Sequence, residues 1–278
     1  MAPSKVEEAP QTNAPPSDTS GILASPNDHW TPETVISTLP QRPQTDSSSP
    51  LPFFHLLERL KTTKREGWRR FGINHGESIS DHMYRMSIIT MLCPPALAAK
   101  LDIARCTRMA LVHDMAEALV GDITPVDGVA KGEKSRREAE TMDYICTSLL
   151  GKVHSGQQAK AMRDVWQEYE DSETPESHFV HDVDKMELLL QMIEYERSHE
   201  GRLDLGEFAW VAKRIVLPEV QAWAAELLEE RREFWNARGQ EPSGVTNIDE
   251  ERRKQQDEYY GKGSGNGHAT SNAATSES

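Results

Sequence analysis

Apolar residues recur at spacings of three and four from about Pro50 to Arg238, the signature of helices that turn one face inward. No run of alternating β-branched residues long enough to seed a sheet interrupts this pattern, so an all-α domain, a helical bundle over residues 50–238, is expected. Helices are predicted near 52–60, 80–92, 98–120, 134–150, 157–170, 176–197, 208–216 and 219–238. Ser78 followed by Asp81 has the spacing of a capping box, and Gly121 stands where the 98–120 helix should stop.

The flanks lack this periodicity. Residues 1–49 are rich in Pro, Ser and Thr, which predicts a disordered arm. Within it, Thr31 and Pro32 can start one short helix over 31–39 that carries Val35, Ile36 and Leu39, either transient or docked. Residues 239–278 are polar and end in Gly, Ser, Asn and Ala, so a disordered tail is expected there.

Composition narrows the function. A formal charge of -14 over 278 residues argues against a protein that tracks polymeric nucleic acid, but it leaves room for a small anion in a local basic pocket. Cys93, Cys106 and Cys146 are far apart and form no CxxC, so neither a zinc ribbon nor a disulfide framework is suggested. No run of about 18 apolar residues could span a bilayer, and Glu7 and Glu8 stand where a targeting segment would be basic. A cytoplasmic protein without membrane association is expected, with nuclear access open.

The apolar stripes contain residues that a core does not ordinarily accept. In the 98–120 helix the stripe runs Ile103, Cys106, Met109 or Ala110, His113, Ala116 or Glu117, Val120. His113 and Glu117 therefore face inward one turn apart, with Asp114 beside the same surface. A buried carboxylate without a partner costs several kcal/mol, so this face calls for a cation or a dense hydrogen-bond network. The preceding helix repeats the anomaly, because His82 is the one polar member of Ile79, His82, Met86, Ile89, Cys93. In "FVHDVDKMELLLQMIEYE" Asp184 lies at the edge of the stripe Phe179, Val183, Met186, Leu190, Ile193. A single inward histidine is more often a satisfied core residue than a ligand. His82, His113, Asp114 and Asp184 together make a mixed nitrogen and oxygen set suited to Mn2+, Fe2+, Co2+ or Zn2+.

These segments, "ESISDHMYRM", "RMALVHDMAEALVGDITPVD", "KGEKSRREAE" and "FVHDVDKMELLLQMIEYE", resemble the HD-domain superfamily of metal-dependent phosphohydrolases. More narrowly they are similar to the 5'-deoxynucleotidase family, the eukaryotic HD domain-containing protein 2 group and its bacterial relatives. The resemblance covers about residues 52–236. It implies that His82, His113, Asp114 and Asp184 bind a catalytic divalent metal (Mn2+, Co2+ or Mg2+), with Glu117 and Asp122 as acid and base residues. It also offers a competing role for Glu117 and Asp122, as ligands of a second ion together with the carbonyl of Ile123. The implied reaction is hydrolysis of a deoxyribonucleoside 5'-monophosphate to deoxynucleoside and phosphate, by a homodimer. The alternatives are another HD phosphohydrolase, acting on a cyclic nucleotide, a deoxynucleoside triphosphate or an alarmone, or a catalytically silent metal-binding interaction protein.

Substrate recognition is expected from "KTTKREGWRRFGINHGES", which combines cations with Trp68. In the bacterial relatives an Arg-Trp pair selects against the ribose 2'-hydroxyl. Trp68 matches that Trp, but Gly67 stands where the Arg would be, and Arg65 is the residue that could substitute from a different direction. Arg85 and Lys134, or Lys131, are further candidates for phosphate contact, and His75, His154, His178 and His181 read as surface residues.

Overall fold

The computed structural model describes residues 30–244, so residues 1–29 of the expected arm and 245–278 of the expected tail lie outside the described residues. The described chain is helical, and its one β-like feature is an isolated antiparallel bridge between Lys64 and Ser78. Three helices form the centre: α5 (Ile79–Met91), α7 (Ile103–Val112) and α11 (Pro175–Ser198). They pack on one another through Met86, Cys106, Met109, Phe179, Val183 and Ile193. Removing such side chains from water stabilises the junction by about 1.5–3 kcal/mol each. Around it stand α9 (Lys131–Tyr144), α10 (Gln157–Asp171) and α12 (Pro218–Asn236), with short helices α2 (Leu51–Leu56), α3 (Glu58–Thr62), α4 (Glu66–Arg69), α6 (Pro95–Ala98) and α8 (Glu117–Val120) between. Val220, Leu227 and Trp235 of α12 are buried, whereas α5 presents Tyr84, Ile88, Met91 and Leu92 outward.

Local signals explain the element ends. The Ser78 hydroxyl accepts from the Asp81 N–H while the Asp81 carboxylate accepts from the Ser78 N–H, closing the capping box at the start of α5. Gly121 ends α8 with φ +78° and ψ 170°, a conformation that a Cβ would strain.

Of the two alternatives for the short helix over 31–39, the docked one is seen: α1 (Pro32–Thr38) is packed with Trp30, Val35 and Ile36 buried. Two expectations are corrected. The 134–150 helix starts at Lys131 and gives way at Ile145 to a π-helical turn over Ile145–Leu149. The 98–120 helix is broken twice: Ala98 closes α6, and the rest is divided into α7 and α8. Asp102 caps α7 by accepting from the Arg105 N–H at 2.9 Å. The second break has a tertiary cause. Continuing the helix would give the His113 carbonyl to the Glu117 N–H, but that carbonyl instead accepts from the Trp166 indole of α10 at 3.0 Å. The Glu117 N–H turns to the Asp114 carbonyl, also at 3.0 Å.

Candidate metal centre and active site

The three central helices bring His82, His113, Asp114 and Asp184 together. One ring nitrogen of each imidazole and an Asp184 oxygen lie within 4.8 Å of one another. Asp114 Oδ2 is 3.2 Å from His113 Nε2 and 3.8 Å from His82 Nε2. The ring orientations come from the outer nitrogens. His113 Nδ1 meets the Ala110 carbonyl at 3.0 Å, and His82 Nδ1 meets the Glu187 carboxylate at 2.5 Å. Those contacts place the Nδ1 protons outward and leave both Nε2 lone pairs aimed at the shared point.

The donor set fits a divalent cation. His82 Nε2 is buried and lacks a hydrogen-bond partner, yet it faces Asp184 Oδ1 at 3.2 Å. A lone pair against a carboxylate oxygen needs a cation or a proton between them. Burial and Arg65 push the His82 pKa down, but Glu187 and Asp184 outweigh them and raise it to about 10. Burial opposes ionisation of Asp114 and Asp184, and the neighbouring histidines overcome it, holding both well below the usual carboxylate range. Tyr169 adds its hydroxyl, which donates to Asp184 Oδ2 at 3.4 Å.

Beside the cluster lies a second group on shorter elements. Glu117 opens α8, almost fully buried, and its Oε2 has no hydrogen-bond partner. Burial, then Asp114 and Asp122, push its pKa well above the ordinary value. Lys134 of α9 places Nζ 3.9 Å from Glu117 and 3.5 Å from Glu138. Asp122 Oδ2 accepts from the Glu66 N–H at 2.6 Å, tying the turn after α8 to the 64–78 loop. That loop is closed at its base by bonds from the Arg65 N–H to the Glu77 carbonyl and from the Ile79 N–H to the Thr63 carbonyl. Arg65 points inward from it, with Nη1 3.4 Å from Asp114 and 3.8 Å from Asp122. A side chain at Gly67 would instead start toward the Phe208 ring, 3.6 Å from its Cβ.

Three of the sequence assignments change. Trp68 is packed into the core rather than presented to a ligand: it is 1% exposed, wedged against Tyr195 and Phe208, and donates to Glu77 Oε1 at 2.7 Å. Arg85 braces the back of the cluster, donating to Glu187, Gln191 and Glu194 at 2.6–2.8 Å. His181 is half-buried and donates to the Tyr169 carbonyl, and burial lowers its pKa to about 4. Sequence reading missed Glu187. Its signal was present, a charge one turn beyond Asp184 between the apolar Met186 and Leu188.

Comparison with known proteins agrees with this geometry. The chain is 48% identical over 189 residues to 5'-deoxynucleotidase hdd1 of Schizosaccharomyces pombe, covering 68% of this chain and 93% of that one. It is 39% identical over 194 residues to 5'-deoxynucleotidase HDDC2 of Homo sapiens, covering 69% and 91%. Among solved structures, the HD domain-containing protein YGK1 aligns with a TM-score of 0.53 at 32% identity over 74% of this chain and 99% of its own. The PH0347 protein of Pyrococcus horikoshii OT3 gives 0.51 at 27% identity over 66% and 99%. The family model described as HD domain matches residues 57–224, spanning every residue of the cluster, and the chain belongs to the HD domain family.

Proposed function

We propose that the chain is a divalent-metal-dependent 5'-deoxynucleotidase, hydrolysing deoxyribonucleoside 5'-monophosphates to deoxynucleoside and phosphate. The observation that carries the reading is a buried ligand set with an unpartnered imidazole nitrogen, beside the buried and unpartnered carboxyl oxygen of Glu117. The relatives named 5'-deoxynucleotidase support the substrate class.

His82, His113, Asp114 and Asp184 would hold the ion. When bound, a divalent ion supplies a water acidic enough to act near neutral pH and offsets charge on phosphoryl oxygens. Glu117 gives its proton to the departing 5'-oxygen, for which its raised pKa suits it. Asp122 holds the 64–78 loop by the Glu66 N–H and so sets where Arg65 stands. Arg65 and Lys134 bring positive charge to the phosphate side, and Arg65 takes the place that Gly67 cannot fill.

A second ion on Glu117, Asp122 and the Ile123 carbonyl is the competing assignment, favoured by the unpartnered Glu117 Oε2. Ions counted per chain at saturation separate the two: one supports the acid role, two the ligand role. The reading also includes a homodimer, for which sedimentation should give twice the chain mass. It includes a cytoplasmic location, which fractionation or imaging of the tagged chain tests.

The deciding experiment incubates protein loaded with Mn2+, Co2+ or Mg2+ with deoxy and ribo monophosphates, triphosphates and cyclic nucleotides, and measures released phosphate. Preferential turnover of deoxy monophosphates is expected. Turnover of only triphosphates or cyclic nucleotides would transfer the site to another phosphohydrolase, and none at all would leave a binding protein.

A further inference from the structure

Trp30 stands in a Pro- and Ser-rich stretch outside the residues 57–224 matched by the family model, yet it is 1% exposed. Its carbonyl accepts from Arg136 Nη2 at 3.1 Å, and its ring lies 5.6 Å from the Arg137 guanidinium. Its indole N–H is buried without a partner, an uncompensated cost, so the residue serves by volume and ring face rather than by hydrogen bonding. The helix that follows, α1, has a capping box of Thr31 and Thr34 and buries Val35 and Ile36. Its main partners are α8 and α9.

Those two elements carry the acid and the ammonium. Glu117 is the first residue of α8, and Lys134, Arg137 and Glu138 share one face of α9 by their three- and four-residue spacing. The metal-binding residues ride on α5, α7 and α11, which are packed on one another. α8 also packs against α3, with Arg59 Nε donating to the Ala118 carbonyl at 2.5 Å.

We infer that Trp30 is a positioning residue for the reaction: with α1 it holds α8 and α9 so that Glu117 and Lys134 meet the substrate, and it leaves the metal-binding helices unaffected. The inference rests on the phosphomonoesterase reading for its kinetic consequence and on the packing alone for its structural one.

The test uses the full chain with Trp30→Ala and Trp30→Phe, assayed below each variant's unfolding temperature. Trp30→Ala should keep the parent's metal content while kcat falls about 10- to 100-fold, the scale of a displacement of roughly 1 Å at a reacting group. Trp30→Phe should recover most of that loss. Amide exchange should quicken in 117–144 and stay unchanged in 79–91, 103–112 and 175–198. If Trp30→Ala does not accumulate as folded protein, Val35→Ala removes less buried volume and should give the same selective pattern. An unaltered kcat in an active enzyme overturns the inference, as does metal affinity falling in step with kcat or exchange quickening in all helices alike. A parent inactive on every monophosphate, with the selective exchange pattern intact, would instead remove the functional reading and retain the positioning role.

Discussion

The two halves of the site rest on different kinds of structure. His82, His113, Asp114 and Asp184 belong to α5, the end of α7, and α11, and each imidazole is fixed a second time through its outer nitrogen. Glu117, Asp122, Arg65 and Lys134 belong to a four-residue helix, the turn after it, a closed loop and the first turn of α9. Holding an ion demands ligand atoms at fixed distances, which packed helices supply. Meeting a substrate and moving a proton tolerate shorter elements, provided something outside them keeps them in place. Here that support comes from Trp166, Arg59 and Trp30, all remote in sequence from the residues they position.

Variants can break this division or sharpen it. The largest effect is expected of His113→Ala, which should lose bound metal and phosphate release together, measured by elemental analysis and a phosphate assay. A variant retaining both would deny the metal half its role. Next, Glu117→Gln should lower kcat about 10²- to 10⁴-fold, the ordinary worth of a general acid, with metal content unchanged. Metal lost alongside activity would make Glu117 a ligand and merge the halves. Glu187→Gln should weaken metal affinity about 10- to 100-fold, as loss of an outer-shell partner does, while kcat at saturating metal stays near the parent's. A kcat defect that saturating metal cannot relieve would place Glu187 closer to the chemistry. The smallest effect on catalysis belongs to Trp68→Phe, which deprives Glu77 of an indole donor and should cost about 1–3 kcal/mol in denaturant unfolding. Its KM should match the parent's; a raised KM would return Trp68 to the substrate.

The same division governs what could be read from the chain. Long helices advertise themselves through periodicity, and a histidine on an apolar stripe stands out, so His82 and His113 were legible as an inward pair. Asp114 and Asp184 lie off the stripe centres and became legible through their spacing to those histidines. The substrate side was less legible, because short elements leave no periodic trace. Trp68 looked like an aromatic platform since nothing in "REGWRR" announces Glu77, Tyr195 and Phe208 around it. Arg85 looked like a phosphate contact because its three partners sit about a hundred residues away on α11. Docking of α1 was left open for a related reason. Its cap signals were readable at Thr31, but burial of Trp30 depends on a surface that α8 and α9 create only when folded.

The bond from the Trp166 indole to the His113 carbonyl also joins the two halves of the site. Local sequence favours one helix running through His113 into Glu117, and in the fold that carbonyl is turned to α10 where α7 and α8 part. His113 therefore serves both halves at once: its imidazole faces the ion, and its carbonyl marks the break that sets Glu117 apart from the metal-binding helices.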